Sequence, residues 1–514
     1  MPNLTKSGIL LSLIKRELLI QSTKRQIGND LDIRRKIIAR RTFLEDVTKL
    51  SIGALSGASL FSSCNFESSN EEFSIVGILG GGIAGLSAGI EFSDKKIDFK
   101  VFEASNQPGG RILTLFDVLG EGINTELGGE FIDSNHSDMF RLAKKFNLPL
   151  IDIHKKINDL KLTRDSFYFE QKYFSESSVI EEFSRFSSSI FEDIVELNEG
   201  NESVTKRFDL ISITDYLKSK GISGWFFNLL SAAFTAEFGL EASLQSSLNF
   251  LTMIDATPTN QLRLYGDSDE RYTFKDGNQV LIQRMANSIA KNVYYGHLCQ
   301  SIVYQDGRYH LIFNNGKQAS CIYLLVTLPF TALRRISMNV QMPAAKRKII
   351  DELNYGTNSK ISFATRNAPW RDMRLSGYLF SDYIQNGWDS SISADIAGNA
   401  AYTIFQGGNL GKQLNVNQSS RYLDELNDAF PGFIESHNQK KVVFNWTKSS
   451  LTRGSYAVYR VGDWIEFAGL EFAPVGNMHF AGEHCSTDFK GYMNGGAETG
   501  RLAAESILAR LKSA

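Results

Sequence analysis

The run "SIVGILGGGIAGLSAGIEF" opens with continuous apolar residues at 75–79, the pattern of a strand buried on both faces. It then turns glycine-rich and continues as a helix with small residues on one face. "KIDFKVFEA" supplies a second strand. Residues 141–265 lack strand alternation and read mainly helical: "MFRLAKKFNL", "ITDYLKSKG" and "WFFNLLSAAFTAEFG" are apolar at three-to-four spacing. Over 266–335 the period returns to α/β. A turn at Asp276, Gly277 and Asn278 precedes a helix, a short strand runs from Cys299 to Ile302, Asn315–Gly316 marks a hairpin, and 322–326 is a buried strand. Residues 336–445 belong to the other domain and carry Lys360 inside an alternating strand. Residues 446–514 add the short strand "MHFAG" and a terminal helix. The expected fold is α/β: one domain assembled from 72–140, 266–335 and 446–514, and an α+β domain, with a mixed sheet and a helical part, from 141–265 and 336–445.

Charge separates the first residues from the rest. Residues 1–63 carry a net +6 and the remainder a net −8, so the overall −2 gives no support to a nucleic-acid partner. Residues 1–64 read as a twin-arginine-type export signal, with Arg40–Arg41 ahead of a mildly apolar Gly/Ala/Ser run too short to span a membrane. A basic helix of the mature protein is the alternative. Cys64 ends the run after "LFSS", which is similar to a lipoprotein cleavage box; a lipid anchor there stands against a plain signal. The implied partner is the twin-arginine export machinery, and the implied location the periplasm or cell envelope, with no transmembrane helix in the mature protein. The four cysteines, at 64, 299, 321 and 485, form no CxxC pair, and the seven histidines no HExxH, so no metal site is expected.

Gly80, Gly82 and Gly85 form G-x-G-x-x-G between strand and helix. The first permits the tight turn, the second lets a diphosphate approach the backbone, and the third lets helix and strand pack closely. The helix N-terminus, at Ile83 and Ala84, favours the anion. Glu103, followed by Ala104, ends the next strand 23 residues after Gly80, where a carboxylate can accept both ribose hydroxyls. These features define a Rossmann-like domain but do not separate NAD from FAD. Two more glycine-rich approaches follow, Gly109–Gly110–Arg111 and Gly128–Gly129–Glu130. Several such approaches along one elongated ligand suit FAD. Near the C-terminus, Gly482–Glu483 ends a strand, and Gly491–Tyr492–Met493 opens a glycine-punctuated helix against which a flat ring could lie. Tyr456 sits on a glycine-flanked strand, and with Tyr492 could guide an amine edge-on. The lysine at 360 is costly to bury unless paired, and the sequence leaves its orientation open.

"GGGIAGLSAG" with Glu103, "GGRILT", "ELGGEFID", "DGNQVLIQRMA", the strand around Lys360, "RGSYAVYR" and "FAGEHCSTDFKGYMNGGAETG" run in one order over residues 73–510. In this the chain resembles the flavin-containing amine oxidases, the group of monoamine, polyamine and L-amino acid oxidases. The resemblance implies that Gly80, Gly82, Gly85, Glu103 and Arg111 bind FAD. It implies that the backbone at Cys299 meets adenine, that Glu483 serves the diphosphate–ribityl region, and that Met493 meets the pyrimidine end of the ring. Lys360 matches a lysine that holds a water against flavin N5, and Tyr456 and Tyr492 match the aromatic pair facing the substrate; these three are the expected catalytic residues. Ser455 stands where the mitochondrial enzymes attach FAD through cysteine, so a noncovalent flavin is expected.

The implied reaction is hydride transfer from an amine α-carbon to N5, hydrolysis of the imine to an aldehyde or ketone, and reoxidation by dioxygen with release of hydrogen peroxide. Glu130 and Asp133 favour a cationic amine over a carboxylate. An L-amino acid oxidase is the nearest alternative, a flavin desaturase or dehydrogenase with another acceptor the next, and a non-catalytic exported binding protein the most remote. A homodimer is compatible with the resemblance.

Overall fold

The computed structural model describes residues 71–257, 263–394 and 398–513. The leader and Cys64, on which the export and lipid-anchor expectations rest, lie outside them. Among the described residues, no helix is long and apolar enough to cross a membrane.

Two sheets organise the chain. The first has eight strands, in the order Ser337–Asn339, Cys299–Gln305, Arg308–Phe313, Gln318–Val326, Glu71–Leu79, Phe99–Phe102 and Val293–Tyr294, with Met478–Phe480 also pairing with Gln318–Val326. Its centre is parallel: Glu71–Leu79 pairs with both Gln318–Val326 and Phe99–Phe102. The apolar runs follow from that position, since Val76, Ile78 and Val101 are wholly buried between two covered faces. Ile83–Asp94 and Met493–Ser513 pack against each other over this sheet. Their approach requires glycine: a β-carbon at Gly500 would lie 2.1 Å from the Ala84 carbonyl oxygen. One sheet thus draws strands from three separated parts of the chain, as the alternation of periods anticipates.

The second sheet has seven strands, in the order His437–Asn445, Ser359–Thr365, Ala400–Gln406, Gln385–Asp389, Leu375–Ser381, Thr163–Phe169 and Lys172–Phe174. It is mixed, because Leu375–Ser381 runs parallel to Thr163–Phe169 while its other pairings are antiparallel. Gly224–Phe238 packs against it, leading a helical layer that includes Glu176–Asn198.

The region expected to be mainly helical therefore contains a hairpin, Thr163–Phe169 with Lys172–Phe174, and a further strand, Leu150–Asp152, which pairs with Tyr272–Phe274. The hairpin turn is Glu170–Gln171, both at positive φ (52° and 58°). A two-residue turn of that twist normally carries Asn-Gly or Asp-Gly, and without them it leaves no sequence signal.

Candidate active site

A cavity of about 1650 Å³ runs between the two sheets and takes its walls from both. That exceeds the roughly 300–1,000 Å³ of a single small-ligand pocket, and leaves room for an elongated cofactor and a substrate together. Every sequence-predicted site residue lines it except Gly85, which packs behind the turn.

The turn after Glu71–Leu79 is built as the spacing requires. Gly80 has φ +111°, and a β-carbon at Gly85 would lie 2.0 Å from the Gly80 carbonyl oxygen. Gly82 and Gly110 serve differently. A β-carbon on Gly82 would find only the Gly109 carbonyl oxygen, at 3.8 Å, and one on Gly110 only the Gly82 Cα, at 3.6 Å. Both would protrude into the cradle, which is open for a ligand to fill. No side chain caps the helix that begins at Ile83, so its first N–H groups remain for an anion. Glu103 accepts from the Gly81 N–H (2.7 Å) on one oxygen and the Ser105 N–H (2.8 Å) on the other, and each keeps acceptor capacity for a hydroxyl. The residues present fit the adenosine diphosphate half of FAD.

Farther along, Arg111 is held by Glu483 (2.6 Å) and the Ser455 carbonyl (2.7 Å). Glu483 also accepts from the Gly491 N–H at 3.0 Å. The pair joins the loop after Gly110 to the start of the terminal helix. Gly129 faces Met493, whose Cγ stands 2.6 Å from where a β-carbon would be. Cys299 lies in the cavity wall, but burial pushes its thiol up to about 12 and its Sγ faces the Ser301 carbonyl. Cys321 and Cys485 are buried too. An alkylating reagent should leave Cys299, Cys321 and Cys485 unmodified in the native protein and label all three in denaturant, as peptide mass mapping would read. His484 and Cys485 sit behind the wall; burial depresses the imidazole and raises the thiol, so both favour their neutral forms, and neither ring nitrogen has a hydrogen-bond partner among the described residues.

Lys360 lies on Ser359–Thr365, a strand buried at every position. Its Nζ donates to the carbonyls of Glu126 (3.0 Å) and Gly128 (2.9 Å) and to Glu130 Oε2 (2.7 Å). The other Glu130 oxygen accepts from Trp388 Nε1 at 2.9 Å. The carboxylate read from sequence as an attractor of amine is thus engaged on both oxygens within the wall.

The acidic end of the cavity is made by Asp133, which the sequence singled out, together with Glu237 and Glu270, which sequence reasoning missed. Tyr492 Oη donates to Glu237 Oε1 (2.9 Å), and Tyr456 Oη to the Glu237 carbonyl. Glu270 accepts from Tyr378 Oη (2.6 Å), and Asp133 from the Glu270 N–H (2.7 Å). Burial raises all three carboxyls, to about 7 for Glu237, about 8 for Glu270 and about 6 for Asp133. Glu237 had one sequence signal, a lone carboxylate at the end of the apolar run "WFFNLLSAAFTAEF".

Comparison with known proteins agrees with this architecture. The chain is 22% identical over 459 residues to an L-amino acid dehydrogenase of Synechocystis sp., spanning 84% of this chain and 94% of that protein. Wild-type putrescine oxidase bound to putrescine superposes with a TM-score of 0.74 at 17% identity, over 85% of this chain and 99% of that one. Cyclohexylamine oxidase from Brevibacterium oxydans gives 0.72 at 18% identity, over 86% and 100%. The family described as flavin containing amine oxidoreductase matches residues 83–508. The chain therefore belongs to the flavin-containing amine oxidoreductases, FAD-dependent enzymes that act on carbon–nitrogen bonds.

Proposed function

We propose that this protein oxidises a cationic amine, with noncovalently held FAD and dioxygen as the acceptor. The observation that carries the reading is the acidic end of the cavity. Both tyrosine hydroxyls are tethered to Glu237, and the charged groups acting on them are carboxylates: Glu237, Glu483 and Glu270 for Tyr456, Glu237 and Asp133 for Tyr492. Such a site attracts an ammonium and repels an α-carboxylate.

Gly80, Gly82, Ile83 and Ala84 would hold the diphosphate, Glu103 the ribose, Arg111 and Glu483 the middle of the cofactor, and Met493 its far end. When bound, FAD supplies the two-electron acceptor that turns the amine into an imine, which water hydrolyses to a carbonyl product, and passes the electrons on to dioxygen as hydrogen peroxide. The chain's own residues bind and orient. Tyr456 and Tyr492 flank the substrate with hydroxyls fixed by Glu237, and apolar walls including Trp388 and Phe405 exclude water. Oxidation requires the neutral amine, and Glu237, which titrates near neutrality, accepts the ammonium proton on a carboxylate oxygen.

The test is peroxide release from monoamines, diamines and polyamines, each paired with its α-carboxylated counterpart. We expect at least about a hundredfold preference for the amine, corresponding to roughly 2.7 kcal/mol. Amino acids turned over as well as amines would instead make the protein an amino acid oxidase, and dye reduction without peroxide would mark another acceptor. The raised carboxyls add a pH signature. They are neutral at acid pH and ionise between about pH 6 and 8, so KM for an amine that stays cationic should fall about tenfold as pH rises through that window. Glu237→Gln should raise KM at pH 8 about tenfold and flatten the profile; an unchanged profile would remove Glu237 from the site.

The reading extends to export. Arg40–Arg41 and the run ending at Cys64 support twin-arginine transport to the periplasm or cell envelope. Changing both arginines to lysine should retain the protein in the cytoplasm of a bacterial host, as fractionation would show.

A further inference from the structure

We infer that Glu130 is a positioning residue for Lys360: it completes the hydrogen-bond set of the ammonium, cancels its charge, and thereby sets the redox poise of the cofactor ring beside it. The inference rests on the proposed placement of the cofactor's far end at Met493, which packs on Gly129 next to the Gly128 carbonyl that Lys360 holds.

A lysine ammonium carries three N–H groups and no acceptor. Here three acceptors stand within hydrogen-bond distance, two backbone carbonyls and one carboxylate oxygen. The carbonyls of Glu126 and Gly128 satisfy geometry but not charge. The Lys360 side chain is 4% exposed and that of Glu130 11%, so a full cation would stand uncompensated without the carboxylate. Glu126, the other acid nearby, is itself buried and pushed up to about 8, which disfavours a second anion beside the lysine. Glu130 is in turn held from its far side by Trp388 Nε1, and the Trp388 ring centroid stands 5.1 Å from Lys360 Nζ.

The backbone is pinned to match. Asn278 Nδ2 donates to the carbonyls of Gly129 (2.8 Å) and Glu130 (2.9 Å), while Lys360 takes that of Gly128. Three successive carbonyls of the Gly128–Gly129–Glu130 turn are thus engaged, and the Glu130 side chain cannot swing toward a substrate without breaking the pair. Substrate charge is met elsewhere, by Glu237, Glu270 and Asp133. The consequence is electrostatic. A lone ammonium beside the ring would favour the negative charge that the reduced cofactor carries. The Lys360–Glu130 pair presents position and donors with no net charge, which holds the reduction potential lower than Lys360 alone would.

The experiment compares FAD-loaded wild type, Glu130→Gln, Lys360→Met and the double variant by dye-equilibrated reduction at pH 7, together with kcat and KM for a monoamine. Glu130→Gln keeps the size and the acceptor for Trp388 but removes the charge. It should shift the reduction equilibrium at least tenfold toward the reduced form, about 30 mV upward for a two-electron couple. In the Lys360→Met background the same change should have less than a third of that effect, because Glu130 acts through the lysine. KM should stay within threefold. An unchanged potential, or an equal shift in both backgrounds, overturns the inference; so does a tenfold rise in KM at constant kcat, which would return Glu130 to the substrate. Trp388→Phe, which keeps the charges, should move the potential less than Glu130→Gln, and a larger shift counts against charge as the cause. If wild type binds no FAD, the functional reading fails instead. The pair is then tested in the unloaded protein: each single variant should lower the melting temperature and the double should recover part of the loss, and additive losses would refute the pairing.

Discussion

Gly82→Val yields a folded protein without bound flavin. Gly82 has φ −77° and ψ −179°, an extended conformation open to any residue, so the substitution strains no backbone. The new β-carbon crowds no protein atom either, its nearest neighbour being the Gly109 carbonyl oxygen at 3.8 Å. What is lost is the surface that a diphosphate must approach, directly before the uncapped helix beginning at Ile83. We expect FAD affinity to fall by about 10³-fold or more, about 4 kcal/mol. The unloaded variant should keep its denaturation midpoint, the change being within about 1 kcal/mol as for a substitution without a clash. Visible absorbance after desalting and denaturation of the apoprotein check the two halves separately. Gly85→Val is the contrast, because its β-carbon would stand 2.0 Å from the Gly80 carbonyl oxygen; that variant should lose stability as well as flavin. Full flavin retention by Gly82→Val would place the cofactor elsewhere.

Lys360→Met is expected to cost both stability and chemistry. Removing one partner of a buried ion pair leaves the other uncompensated, typically at about 3–5 kcal/mol. Here the Glu130 carboxylate loses its cation, and the carbonyls of Glu126 and Gly128 lose a donor. The Trp388 Nε1 donor stays on the Glu130 carboxylate, so we expect the lower end of that range, about 3 kcal/mol. The added change Glu130→Gln should return part of that. Substrate-driven bleaching of the flavin, or its return in oxygen, should slow by at least about 10²-fold, roughly 2.7 kcal/mol of barrier. Stopped-flow absorbance under anaerobic and aerobic conditions separates the two steps. A variant as stable and as fast as wild type would leave Lys360 without a part in the site.

These two predictions differ in how early they were legible. The glycine cradle could be read directly, because its chemistry depends on short-range spacing: Gly80, Gly82 and Gly85 within six residues, and Glu103 at the end of the next strand. The same holds for the segment from Gly482 to Met493. Lys360 was visible as a polar residue in an apolar strand, but its partners were not, since Glu126, Gly128 and Glu130 lie more than 200 residues earlier. Glu130 was read as facing substrate, and its two oxygens turn out to be engaged by Lys360 and Trp388. Glu237 and Glu270 escaped for a related reason. One ends a helix in the layer beside the second sheet and the other sits in a loop, and only folding sets both beside Tyr456 and Tyr492. The hairpin at Thr163–Phe174 was hidden because Glu170 and Gln171 adopt a turn that their chemistry does not advertise.

Met478–Phe480 joins the first sheet, and Met493 opens a helix that packs on the one beginning at Ile83. During synthesis the glycine turn therefore leaves the ribosome some 400 residues before the wall it needs. Nascent polypeptide cannot enclose the dinucleotide until the segment around Met493 has emerged and docked. Flavin is therefore taken up late, onto a nearly complete wall, rather than by the glycine turn as it first appears.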